Sequence, residues 1–201
     1  DGDIDYLSGS FDRNFEDISK IQYSYLNAGL APSISFANDD LSVSLGVAAH
    51  VSMDTKQNNT DFSLYPRLKA SYRLMDETVI AYGGVEGGLH QNTYYNFKEQ
   101  NPFVSPTLYI LPTKNIYEAF VGIKGKLTNT VAYNLKASYG QDENKAFFQA
   151  NPLRSIFTTG LEGYEYGNSF NVVYDVLTTL AVFGELQVAI QDHFSLGVNG
   201  I

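Results

Sequence analysis

The chain has 201 residues and a net charge of −9, with a sequence pI near 4.7; this acidic balance excludes nucleic acid and anionic membrane surfaces as bulk electrostatic partners. Only 17% of residues are charged while 14% are aromatic, which excludes disorder, because so much apolar side chain belongs to a chain that buries it. No cysteine is present, so there is neither a disulfide framework nor a thiolate metal site.

In chain order, the first 29 residues hold one or two candidate strands, Tyr6–Phe11 and Ile21–Leu26, and a further strand is expected over Ala31–Ala37. Residues 41–53 alternate with period two. Leu41, Val43, Leu45, Val47, Ala49, Val51 and Met53 are apolar, and Ser42, Ser44, Gly46, Ala48, His50 and Ser52 lie between them. Successive strand side chains point to opposite faces, so this segment has one apolar and one small, polar face. At about 3.3 Å per residue it spans roughly 43 Å, long for a soluble strand.

The alternation recurs downstream. Over 62–73, Phe62, Leu64, Leu68, Ala70 and Tyr72 oppose Ser63, Arg67, Lys69, Ser71 and Arg73. A strand over Val79–His90 follows. Over 117–127, Tyr117, Ala119, Val121, Ile123 and Leu127 oppose Glu118, Lys124 and Lys126; over 131–139, Val131, Tyr133, Leu135, Ala137 and Tyr139 oppose Asn134, Lys136 and Ser138. Residues 180–190 set Leu180, Val182, Leu186, Val188 and Ile190 against Glu185 and Gln187, and Phe194, Leu196 and Val198 alternate to the end. Phe170–Tyr174 reads as an extension of the 180–190 strand, and Phe157–Tyr166 as strand or loop.

Short turns are expected at Asn38–Asp40, Leu74–Glu77, Thr128–Thr130 and Gln191–His193, with longer polar segments near 54–61, 91–115 and 140–169. Short turns at one end and long loops at the other, with apolar-out and polar-in strands, are the pattern of outer-membrane barrels. The predicted fold is all-β: an antiparallel up-and-down transmembrane β-barrel, or a fragment of a larger one, with eight to ten strands and residues 1–201 as a single barrel region. Segments 91–115 and 140–169 are predicted to be its most exposed and mobile parts.

No local motif asks for catalysis. Gly83–Gly88 lacks the strand-to-helix setting of a phosphate loop, and no G-x-S-x-G elbow occurs. His50, His90 and His193 have no second ligand at zinc spacing. Asp1, Asp3 and Asp5 open like a calcium loop, but Asp12 stands where its glutamate belongs. No catalytic, cofactor-binding or metal residue is assigned.

The one charged constellation lies on the polar parity: Arg67, Lys69, Arg73, Glu86, Glu118, Lys124, Lys126, Lys136 and Glu185. Read functionally, they line a lumen that favours anionic solutes; read structurally, they are salt bridges filling a narrow lumen. Because the apolar faces of 62–73 and 79–90 have opposite parity, facing positions sum to an odd number. The favoured register sets Arg67 opposite Glu86, as an expected cross-strand ion pair.

The stretches Gly83–Asn92, Asn101–Pro106, Leu111–Lys114 and Gly122–Leu127 resemble the barrel region of TonB-dependent-receptor-like outer-membrane proteins of Bacteroidetes type, over about residues 30 to 201. The resemblance implies a barrel in the bacterial outer membrane with a role in solute uptake or envelope assembly. No plug domain, TonB-box-like segment or terminal aromatic residue is visible, so the chain is expected to be part of a barrel that continues past Ile201. Outer-membrane lipid is the implied partner, with further barrel strands or an envelope protein. The alternatives are a structural barrel that binds a partner protein or glycan through its long loops, and a soluble all-β binding module.

Overall fold

The computed structural model describes residues 1–12, 19–56, 58–152, 167–191 and 194–200. Ten antiparallel strands follow the chain: β1 (Gly2–Phe11), β2 (Ile21–Leu30), β3 (Ser33–Ala37), β4 (Leu41–Asp54), β5 (Asn59–Met75), β6 (Val79–His90), β7 (Thr113–Thr128), β8 (Val131–Ala150), β9 (Phe170–Gln191) and β10 (Phe194–Gly200). They form one sheet in the order β1-β2-β4-β5-β6-β7-β8-β9-β10, with β3 beside β4. Chain neighbours pair, as up-and-down topology requires, except that β2 and β3 both pair with β4. The two first strands expected within residues 1–29 are both present.

β2 and β3 share one edge of β4: β2 pairs with its Ala49–Asp54 end and β3 with Ser42–Gly46. The break falls at Ala31-Pro32, where proline has no N–H to give the ladder; the Pro32 carbonyl instead accepts from the Val47 N–H at 3.3 Å. The same chemistry limits β5, whose ladder with β6 begins at Arg67, next to Pro66. The short β4–β5 and β5–β6 connections lean on residues that tolerate left-handed backbone, Asn58 at φ 52° and Asp76 at φ 42°.

The register fixes two faces. Outward, Leu45, Val47, Leu68, Tyr72, Val121, Ile123, Val182 and Leu186 are all exposed, Val121 at 64% and Val182 at 66%. Inward lie polar rows. One runs Gly46, Arg67, Glu86, Glu118, Gly140, Thr179; the next runs Ser44, Lys69, Gly84, Phe120, Ser138, Ala181. The residues grouped by alternation thus share one face of the sheet across these rows.

Three expectations about connections need correction. The polar segment near 54–61 is no long loop, because β4 runs to Asp54 and β5 starts at Asn59. Nor is 140–169 a loop from its start: β8 continues to Ala150, paired with β9 down to Phe170 across an irregularity between Asp142 and Lys145. There the charges that look like a loop tip sit on a paired strand. Residues 153–166, Asp192 and His193 lie outside the described residues, and with them the proposed strand or loop at Phe157–Tyr166 and most of the Gln191–His193 turn.

The third correction is the largest. Segment 91–115 begins with α1 (Tyr94–Gln100), capped by Thr93, whose hydroxyl accepts from the Asn96 N–H. The segment then lies on the inner face and contributes the most buried side chains of the described chain: Phe97 at 1%, Leu108 at 1% and Ile110 at 0%. With Tyr23, Tyr25, Val104 and Val172 they form the hydrophobic core. The predicted exposed loop is the centre of the packing.

Candidate functional site

The inner face is built from alternate positions of β1 to β9, so its chemistry follows from strand parity. Glu86 on β6 and Glu118 on β7 face each other directly, an arrangement that repels. Each is relieved along the diagonal. The Lys69 Nζ lies 2.8 Å from Glu86 Oε1, and the Lys136 Nζ donates to Glu118 Oε1 at 2.8 Å. Four strands thus contribute one Lys–Glu–Glu–Lys diagonal.

Arg67 does stand opposite Glu86, as expected. Its ion pair is nonetheless with Asp1, at 3.9 Å, and Glu86 pairs with Lys69. The expected Arg67–Glu86 bridge is therefore replaced: the diagonal lysine reaches the carboxylate, and the carboxylate of the N-terminal residue draws the guanidinium away.

Of the other candidates, Lys126 pairs with Glu77 in the β5–β6 turn at 2.7 Å. The Lys126 hydrogen bond holds the Glu77 carboxyl below the usual carboxylate range. Arg73 occupies the inward position opposite Ile80, and the row continues through Lys124 and Asn134 to Glu185. Lys124 has no carboxylate partner among the described residues; its ammonium lies 5.5 Å from the centre of the Tyr82 ring. Lys136 lies over Phe120 at 4.8 Å.

Two aromatic rings complete this surface. Tyr82 and Phe120 are tilted neighbours 6.3 Å apart, and the Tyr82 hydroxyl donates to Asn134 Oδ1 at 2.6 Å. Each ring lies over a glycine. A Cβ at Gly122 would stand 2.5 Å from Tyr82 Cζ, and one at Gly84 2.8 Å from Phe120 Cζ. Only glycine leaves room for a ring to lie so close to the backbone.

Toward the loop end, Tyr109 ties the wall together. Its hydroxyl bonds that of Tyr25 on β2 at 2.9 Å, and its carbonyl accepts from the Tyr174 hydroxyl on β9 at 3.0 Å. The Tyr174 oxygen also accepts from the Leu111 N–H at 3.0 Å. A parallel bridge joins Val104 to Phe170. β2 and β9 are six ladder steps apart, so one segment spans much of the sheet.

Several partners escape sequence parity. Lys114 pairs with Asp61, and Asp142 with Lys145 and Asn115. Irregularities between Glu86 and Gly88 and between Asn115 and Tyr117 shift the count by one residue, so alternation could not have found these. The inward parity of His50 did place it correctly: it is buried, 3.9 Å from Asp3. Among the described residues no cluster of three His, Asp or Glu side chains is arranged to hold a metal ion.

No protein-family model matches the sequence, and no curated protein matches it. Among solved structures, the copper transporter OprC matches 90% of this chain at a TM-score of 0.57 and 13% identity. The pyoverdine outer membrane receptor FpvA from Pseudomonas aeruginosa PAO1 matches 91% at a TM-score of 0.51 and 16% identity. The chain spans 29% of the first protein and 25% of the second. At such identities the likeness is one of fold. The sheet is an antiparallel part-barrel wall, the fold that it shares with these two proteins.

Proposed function

We propose that the chain is a section of wall from a bacterial outer-membrane β-barrel of the TonB-dependent-receptor type, serving solute uptake. The observation that carries this is the two-faced sheet. Its outer face is apolar and exposed along successive strands, while its inner face holds paired charges. A soluble sheet exposes polar side chains and buries apolar ones; here the exposed side is the apolar one, as lipid requires. The fold likeness to an outer-membrane receptor supports the same seat. The narrower likeness to Bacteroidetes-type barrels rests on the Gly83–Asn92, Asn101–Pro106, Leu111–Lys114 and Gly122–Leu127 stretches alone.

On this reading outer-membrane lipid covers Leu45, Val121 and their neighbours, and further strands continue the sheet beyond β1 and β10. The nine inward charges then face the barrel interior. The structural alternative, a barrel that holds a partner rather than passing a solute, draws support from the 91–112 segment, which occupies the inner face.

Reconstitution separates these two readings. Vesicles carrying the complete barrel to which this wall belongs should admit small solutes faster than empty vesicles; a rate equal to that of empty vesicles favours the structural barrel. Failure to enter vesicles at all, with a monodisperse protein in plain buffer, contradicts the membrane reading.

A further inference from the structure

The Tyr82–Phe120 surface is the base of a depression of about 290 Å³ lined also by Ser44, Lys69, Ser71 and Lys124. Its size sits at the lower end of small-molecule sites, which run from roughly 300 Å³ upward and combine apolar walls with a few placed polar groups. We propose that it binds a small organic anion with a single flat ring, such as an aromatic carboxylate. This deepens the solute-uptake reading and rests on its assignment of the inner face.

Three features select that ligand class. The floor is aromatic: both rings are half-buried and held against glycine backbone, so a ring-shaped solute can lie against them in the offset or edge-on arrangements that aromatic pairs prefer. The charge above it is positive. Lys69 and the adjoining Lys136 are each engaged by a glutamate at 2.8 Å, which leaves Lys124 as the ammonium without a carboxylate among the described residues. An exposed lysine held over a ring makes its best available contact with an incoming carboxylate, since a charge-assisted hydrogen bond exceeds a cation–π contact in water. Finally, Ser44 and Ser71 present hydroxyls that can donate or accept, so polar ring substituents find partners.

The test is calorimetric titration of the full chain, folded in detergent, with benzoate, and separately with benzylamine, which has a comparable ring but the opposite charge. Saturable benzoate binding with none for benzylamine is expected. Lys124→Gln should weaken benzoate by about fivefold or more, as loss of a charge-assisted contact implies, while Lys124→Arg should retain it. Circular dichroism of each variant verifies that the sheet is intact. Equal binding of both compounds, no saturable benzoate binding, or unchanged binding in Lys124→Gln would overturn the proposal. The uptake reading fails separately: vesicles that admit no solute contradict it even if benzoate binds the depression, and solute flux without benzoate binding overturns only the binding proposal.

Discussion

Glu86 and Glu118 face each other across β6 and β7, so the stability of this row depends on the lysines that flank it. Lys136 and Glu118 are both partly exposed, which keeps their direct coupling within the 0.2–1 kcal/mol or so typical of such pairs. A double-mutant cycle with Lys136→Met and Glu118→Gln, read by denaturant unfolding, should return a value in that range. Lys136→Met alone should cost more than Glu118→Gln alone, because it leaves two carboxylates opposed with one lysine between them. The opposite order would show that Lys69 serves both glutamates. At the β5–β6 turn the linkage has a definite sign. The Glu77 carboxyl is depressed by Lys126, so its contribution is present above the unfolded carboxyl value, near 4.3, and is lost as pH falls through the lower folded value. Lys126→Met should raise the Glu77 midpoint, measured by NMR of the side-chain carboxyl; an unmoved midpoint would remove the pair. Sequence parity placed Arg67 opposite Glu86 but not the bridge itself. Which lysine or arginine reaches a carboxylate depends on side-chain length and on where Asp1 lies, and alternation carries neither.

At the scale of elements, strand existence was legible and strand ends were not. Val79–His90 was read with its observed bounds, because turn residues flank it. β8 was cut short at about residue 139, since Gln141–Lys145 concentrates charge; Gln141, Asp142 and Lys145 pair with Thr178, Leu177 and Asp175 inside β9 regardless. Segment 91–112 was misread for a related reason. Pro102, Pro106 and Pro112 exclude a strand and mark a loop, but they say nothing about which way the loop folds. Leu108 and Ile110 turn inward because the inner face above the charged rows offers Tyr23, Tyr25 and Val172 as apolar partners. Intact protein should therefore resist protease between Val104 and Leu111. Ile110→Ala, which removes a fully buried side chain, should cost about 2–5 kcal/mol of local or global stability and open that segment to cleavage. Rapid cleavage there in the unsubstituted protein would contradict the packing.

For the whole molecule, the decisive property is which face meets hydrocarbon. If Val121 and Ile123 point into lipid, arginine at Ile123 should destabilise the protein by about 2–4 kcal/mol near the midplane in vesicles, and arginine at exposed Thr128, by the β7–β8 turn, by far less. The chain has no cysteine, so single cysteines along β7 can be spin-labelled without background. Scanning residues 118–124 in lipid vesicles, the account predicts a period of two. Ala119, Val121 and Ile123 should be highly accessible to dissolved oxygen, and Glu118, Phe120, Gly122 and Lys124 should be poorly accessible to it. Oxygen accessibility without alternation, or with the even positions highest, would contradict the assignment of this sheet as the wall of a membrane barrel.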